Sequence, residues 1–211
     1  MRLVFLGPPA SGKGTQASMI CRKLGIPSIS TGEMLRIARE KGQLSQNFVT
    51  QMASGQLIPD ETMIQLVHQR ILQQDCEKGF ILDGFPRTRP QAEALDALLE
   101  SQHQKLDFVI AFQIPRELLV DRAIFRRVDK RTGQIYHLRY NPPPTEAELE
   151  YRTDDHEHVV HDRLDTYERM SKGISVYYKS SNRLMELDAV GSLEEVNERI
   201  LNKIKSTIES E

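Results

Sequence analysis

"LVFLGPPASGKGT", residues 3 to 15, runs from four apolar residues through a glycine- and proline-rich loop into Gly-Lys-Gly-Thr. The apolar run Leu3 to Leu6 has the length and composition of a buried strand. The stretch that follows the loop, "TQASMICRKL", is amphipathic and predicts a helix starting near Lys13. Strand, glycine-rich loop, Gly-Lys and helix in this order form a phosphate cradle. Gly7, Gly12 and Gly14 permit backbone conformations closed to other residues and leave room for phosphate oxygens beside the amides. The helix N-terminus adds its dipole and Lys13 adds a full charge. One residue is out of place. The general pattern has Ser or Thr directly after the lysine, where the hydroxyl meets Mg²⁺. Here Gly14 occupies that position and the threonine comes one later, at Thr15.

A metal held without that hydroxyl must lean on phosphate oxygens, waters and a carboxylate from elsewhere. Asp83 ends the apolar run "GFILD", which puts it at the carboxyl edge of a neighbouring strand, where ligands of such sheets bind. Its other use would be to cap the next turn, "GFPR". Further short apolar runs, "FILD" (80–83), "FVIAFQI" (108–114), "RLMELD" (183–188) and the weaker "IPSIS" (26–30), read as strands. Between them lie helical patterns. One begins at Asp60, expected to be its N-cap, with Met63, Ile64, Val67 and Ile71 on one face. Another runs from Pro90 through Leu99, and a third from Ser192 to about Ile208. Continuous apolar strands alternating with helices predict an α/β fold with a parallel five-stranded sheet, covered by helices on both faces.

Residues 127 to 156 break the rhythm. They are polar and turn-rich, and Pro142 to Pro144 would fit no central strand or helix interior. The segment reads as a small inserted subdomain with a hairpin turn near Thr132-Gly133.

At 211 residues the chain can fill one core. Its 28 basic and 30 acidic residues leave a net charge of −2, so no global field draws nucleic acid or an anionic membrane. Within the basic set arginine outnumbers lysine, 18 to 10, and arginine's planar fork suits phosphate. Two cysteines, Cys21 and Cys76, make no disulfide framework. The opening apolar run is too short for a signal-peptide core, and no stretch approaches a membrane span. A soluble, cytoplasmic protein is the expectation.

"DGFPRT" (83–88), with "GPPASGKGTQ" at the front and "ISTGEMLR" (29–36), resembles the nucleoside monophosphate kinases, the adenylate kinase family in particular. "VDRAIFRRV" (120–128), "GQIYHLRYNPP" (133–143), "YRTDD" (151–155), "DRLDTY" (162–167) and "YY" (177–178) extend the resemblance in order along nearly the whole chain. It implies one P-loop kinase domain over 1–211, with a helical acceptor-binding insert at 30–59 and a lid at 127–156. It also implies reversible, Mg²⁺-dependent phosphoryl transfer from ATP to AMP, giving two ADP, by a monomer. A UMP/CMP kinase, or a relative using GTP, is the alternative within the same family.

Carried onto this chain, the resemblance assigns the donor phosphates to Gly7, Pro8, Pro9, Ala10, Ser11, Gly12, Lys13, Gly14 and Thr15. Arg122, Arg126, Ile135, Tyr136 and Gly191 complete the ATP site. Thr31, Arg36, Gln56, Leu57, Ile58, Gly84, Phe85, Arg87 and Gln91 would form the AMP site with Arg152 and Arg163. Lys13, Arg87, Arg122, Arg126, Arg152 and Arg163 would be the catalytic set, and Asp154 and Asp155 would lie at the lid hinge and bind arginines of the closed state. The chemistry agrees with such a set. The second pKa of a phosphate monoester lies near ~6, so AMP is a competent dianionic nucleophile at neutral pH and needs no general base. What remains is to position the reactants, neutralise phosphoryl oxygens and exclude water. Gln91 suits adenine because its amide offers a donor and an acceptor together.

Three features depart from the commonest pattern. Glu33 stands where aspartate is usual, the lid between Asn141 and Arg152 is short, and the lid has no cysteine, which leaves a zinc-binding version unsupported. "DDHEHVVH" does place His156, His158 and His161 among carboxylates. On a helix, however, only His158 and His161 share a face at i, i+3, and Arg152 and Arg163 would repel a dication. No structural zinc is expected, and Mg²⁺ should arrive only with nucleotide.

Overall fold

The computed structural model describes residues 1–53 and 58–208. Five parallel strands, β1 (Arg2–Leu6), β2 (Ser28–Ser30), β3 (Phe80–Asp83), β4 (Phe108–Gln113) and β8 (Leu184–Asp188), form one sheet in the order β2-β3-β1-β4-β8. All five expected strands are present. The three central strands, β3, β1 and β4, are buried on both faces because each face carries its own layer of helices, whereas the edge strands β2 and β8 keep polar, partly exposed positions. Val4, Leu6, Leu82 and Val109 pack on one side against Met63, Val67, Leu95, Leu99, Ile174 and Tyr178. Leu3, Phe5, Ile81 and Ile110 pack on the other against Ala17, Ile20, Val196, Ile200 and Ile204.

The helices are α1 (Lys13–Leu24), α2 (Thr31–Glu40), α3 (Gln46–Ala53), α4 (Asp60–Ile71), α5 (Arg89–Ser101), α6 (Arg116–Ile124), α7 (Glu157–Ser180) and α8 (Leu193–Ile208). Several begin as local chemistry dictates. Thr88 caps α5, its hydroxyl accepting from Gln91 N, with Pro90 in the first turn. Ser192 and Glu195 cap α8 reciprocally: Ser192 Oγ accepts from Glu195 N at 3.2 Å, and Glu195 Oε2 from Ser192 N at 2.8 Å. Asp60 corrects the sequence reading. It is the first helical residue of α4 and does not cap it; its carboxylate turns away to the side chains of Thr88 and Gln91. Those donors lie 28 and 31 residues along the chain, out of reach of any local rule.

Residues 126–150 leave the main sheet. β5 (Arg126–Asp129), β6 (Ile135–His137) and β7 (Leu149–Glu150) make a separate antiparallel sheet in the order β6-β5-β7. The hairpin between β5 and β6 turns at Gly133, which has φ +71°, as the Thr132-Gly133 signal anticipated. Between Ser30 and α4 lie the helices α2 and α3, whose Met34, Leu35, Phe48 and Met52 join the core on the side of α4 and α5. No helix among the described residues is long and apolar enough to cross a membrane.

Register brings the site together. Asp83 lies opposite both Phe5 of β1 and Ser30 of β2. The loops starting at Gly7 and Gly84 and the N-terminus of α2 at Thr31 therefore leave the sheet at one level of its carboxyl edge.

Candidate active site

The loop between β1 and α1 closes around its own lysine. Lys13 Nζ donates to the carbonyls of Gly7 and Pro8, both at 2.8 Å, and to Ser11 Oγ at 3.1 Å. Burial pushes its pKa down to about 8; Asp83 acts in the opposite sense, while Arg87, Arg163 and Arg126 reinforce the fall. The loop holds two left-handed residues, Ala10 at φ +62° and Gly12 at φ +91°. Gly12 directly precedes α1, so its conformation aims the free amides of the first turn into the loop.

Gly14 faces Asp83. A Cβ built on Gly14 would meet Asp83 Oδ2 at 3.2 Å, tighter than ordinary van der Waals contact. The carboxylate at the end of β3 thus crowds the position that a side chain after the lysine would take. Gly84, at φ +82°, is constrained likewise, since a Cβ there would meet Thr31 Oγ1 at 2.8 Å.

Above this floor a cleft of about 1280 Å³ gathers Lys13, Arg36, Arg87, Arg122, Arg126, Arg152 and Arg163. The arginines come from α2, the loop after β3, α6, β5, the segment before α7, and α7 itself. Four have protein partners. Arg87 Nε donates to Gly84 O at 2.8 Å. Arg122 reaches Ser11 O at 3.5 Å and Ala189 O at 3.3 Å. Arg126 grips Asp155, which is wholly buried, through Nε at 2.8 Å and a second, shorter bond through Nη2. Arg163 pairs with Asp154 Oδ2 at 2.7 Å and donates to Asp154 O at 2.9 Å. Burial disfavours ionisation of Asp154, but Arg163, Arg126, Arg152 and Arg36 outweigh it and hold the carboxyl below its usual value. Burial, with Arg126 and Arg36 beside it, brings Arg152 down to about 10, so it stays charged at neutral pH.

Most of the residues expected for the donor line this cleft: Gly7, Pro9, Ala10, Ser11, Gly12, Gly14 and Thr15, with Ile135, Tyr136 and Gly191 across from them. Pro8 contributes its carbonyl to Lys13. The acceptor side is different. Gly84, Arg36 and Arg87 line the cleft, whereas Thr31, Ile58, Phe85 and Gln91 are buried beneath its wall. Ile58 and Phe85 belong to the core beside α4 and α5. Thr31 Oγ1 donates to Asp83 O at 3.4 Å. Gln91 is 2 % exposed, accepts from Arg87 N and donates to Asp60 Oδ1, both at 2.7 Å. Gln56 and Leu57 lie outside the described residues.

His158 and His161 both lie on α7 at the i, i+3 spacing, with His156 just before the helix. His161 faces Arg116, with Nη2 at 3.3 Å from its Nδ1, while His156 and His158 stack at 6.2 Å between ring centroids. His156 precedes α7 in an extended conformation, so the i, i+3 geometry does not govern it. Among the described residues no three His, Cys, Asp or Glu side chains gather as a metal cage.

A sequence profile of the adenylate kinase family matches residues 5–183. An adenylate kinase of Sorangium cellulosum is 51 % identical over 207 residues, covering 97 % of this chain and 96 % of its own. An adenylate kinase of Archaeoglobus fulgidus is 45 % identical over 217 residues, covering 98 % and 100 %. One from Moorella thermoacetica is 46 % identical over 196 residues, covering 89 % and 90 %. The chain belongs to the adenylate kinase family. It is therefore a nucleoside monophosphate kinase, a phosphotransferase, on an α/β P-loop fold.

Within that family frame, sequence reasoning missed Tyr140, which lines the cleft, and Asp60, which stands behind its wall. Tyr140 lines it with 71 % of its surface exposed, stacked on His137 at 4.5 Å. Its signal was an aromatic next to Asn141 in a polar lid. Asp60 sits behind the wall as the partner of Gln91 and left no signal beyond its place at a helix start.

Proposed function

We propose that this chain transfers the terminal phosphoryl group of ATP to AMP, reversibly and with Mg²⁺, and that the arginine-lined cleft is where it does so. The single observation that carries the reading is the convergence of Lys13 and six arginines, from separate elements, on one cleft floored by the phosphate loop. The relatives bear the name of the AMP enzyme, and nothing in them favours the pyrimidine or GTP alternatives.

In this reading Lys13 exchanges the carbonyls of Gly7 and Pro8 for donor phosphate oxygens. Those carbonyls are neutral and phosphate oxygens are charged, so the exchange is downhill once the cleft is dry. Arg36 and Arg87 hold the acceptor phosphate, a dianion that attacks without a general base. Arg122, Arg126, Arg152 and Arg163 surround the moving phosphoryl and stabilise charge spread over its equatorial oxygens. Asp154 and Asp155 orient Arg163 and Arg126 beforehand, which removes reorganisation at the moment of reaction. Residues 30–59 and 127–156 act as movable inserts that complete the set and exclude water.

The donor set fits Mg²⁺ held with nucleotide. One carboxylate, Asp83, lies against the phosphate loop at Gly14, and magnesium in phosphate sites takes one or two carboxylates with phosphate oxygens and waters. Bound there, Mg²⁺ would neutralise charge on the donor phosphates. We extend the reading to a cytoplasmic monomer without nucleic-acid or membrane partners, which the near-neutral net charge supports.

A coupled assay with ATP and each of AMP, UMP, CMP and GMP tests the reaction. ADP formed in a 2:1 ratio to AMP consumed is expected. Faster turnover of a pyrimidine monophosphate than of AMP would overturn the substrate assignment.

A further inference from the structure

Gln91 can read adenine only if its amide points the right way round. An adenine edge presents an acceptor at N1 and a donor at its amino group; hypoxanthine and guanine present the opposite, a donor at N1 and an acceptor at O6. A glutamine free to rotate its amide by half a turn would serve both. The amide of Gln91 is not free. Its Oε1 accepts from the backbone N–H of Arg87 at 2.7 Å, and its Nε2 donates to Asp60 Oδ1 at 2.7 Å. An N–H can only donate and a carboxylate can only accept, so a flipped amide would set donor against donor and oxygen against oxygen. The carboxylate is itself held: Thr88 Oγ1 donates to Asp60 Oδ2 at 2.7 Å, and the same hydroxyl accepts from Gln91 N at 3.3 Å. Each amide atom of Gln91 keeps one further hydrogen-bond position, a second hydrogen on Nε2 and a second lone pair on Oε1.

We infer that Asp60 is a positioning residue for base selection, locking the Gln91 amide in the polarity that accepts a 6-aminopurine and refuses a 6-oxopurine. Asp60 does not line the cleft; it acts through Gln91 from the first turn of α4. The inference rests on Gln91 as the reader of the acceptor base.

The test compares AMP with IMP, which differ at this edge only in hydrogen-bond polarity, with ATP as donor. Asp60→Asn keeps the shape but supplies an amide that can rotate to meet either orientation of Gln91; Asp60→Ala removes the acceptor. Both should lower the AMP-over-IMP ratio of kcat/KM by at least about tenfold, chiefly through a gain for IMP. A merely structural role would depress AMP and IMP alike and leave the ratio in place, and that result overturns the inference. Gln91→Leu separates it from the reading beneath it. Loss of AMP use with ATP affinity kept, alongside an unchanged ratio in both Asp60 variants, removes the role of Asp60 alone. Equal loss for AMP and ATP in Gln91→Leu removes both.

Discussion

The α-carbon of Gly14 stands so close to the Asp83 carboxylate that a Cβ there would lie 3.2 Å from Oδ2. A side chain after the lysine would have to push that carboxylate aside by a few tenths of an ångström. In loops with Ser or Thr at this place, the side chain supplies a metal ligand; here a carboxylate from the end of β3 stands beside the same position.

Gly14→Ser should therefore fold but work poorly. Replacing glycine within a helix contributes up to ~1 kcal/mol of stability, which offsets the crowding, so the melting temperature should stay within a few degrees of wild type. Displacing the carboxylate should lower kcat about tenfold or more. Steady-state kinetics decide it: undiminished kcat in a folded Gly14→Ser variant would detach Asp83 from the chemistry.

Lys13 gives the site a pH signature. Its pKa is about 8 in the fold against 10.5 for the free side chain. Between these values the unfolded chain binds more protons than the folded one. The destabilisation is complete below about pH 8 and fades as pH rises toward 10.5, so this group makes stability increase across that window. Donor phosphates favour the ammonium, so ATP binding near about pH 8.5 should take up a proton and weaken as pH rises further. Calorimetry in buffers of different ionisation enthalpy should show that uptake, and Lys13→Ala should abolish it while lowering kcat on the order of 100-fold or more. Equal proton uptake in wild type and variant would place the titration elsewhere.

The Arg126–Asp155 pair is the buried ionic contact between β5 and the segment leading into α7. Asp155 is fully buried and also offers its carbonyl to Tyr151 OH at 2.6 Å. Asp155→Ala would strand the Arg126 guanidinium against low-dielectric surroundings, at a cost of ~3 kcal/mol. Urea denaturation should register the loss, with kcat falling too because Arg126 loses its orientation. Stability unchanged within about 0.5 kcal/mol would mean that water already screens the pair.

Hydrogen bonds close the turn of the small sheet. Asp129, 4 % exposed, accepts from Arg131 N at 2.8 Å and Thr132 N at 3.4 Å, and backbone bonds from Asp129 and Gly133 complete the turn. Purified protein should contain no stoichiometric zinc, and a chelator should leave its melting temperature unchanged. One equivalent of zinc with a fall in melting temperature on chelation would refute this.

The sequence by itself determined the frame. Apolar runs marked the central strands β1, β3 and β4 because both faces of such strands are buried, and that demand is local; the edge strands β2 and β8 left weaker, mixed runs. The phosphate loop was legible for a related reason: glycine, lysine and a helix start must adjoin in the chain to cradle an anion. The arginines were legible one by one through family motifs, but not as a cluster. Only the tertiary structure brought Arg36, Arg126 and Arg163 to one cleft, because electrostatic neighbourhood depends on distance in space. It also decided what each group does at rest: Asp60 holds Gln91 and does not cap α4, Lys13 closes on its own loop, and His161 meets Arg116. A polar side chain takes whichever partner satisfies it most fully, and a contact between residues 31 apart leaves no trace in either one's neighbours along the chain.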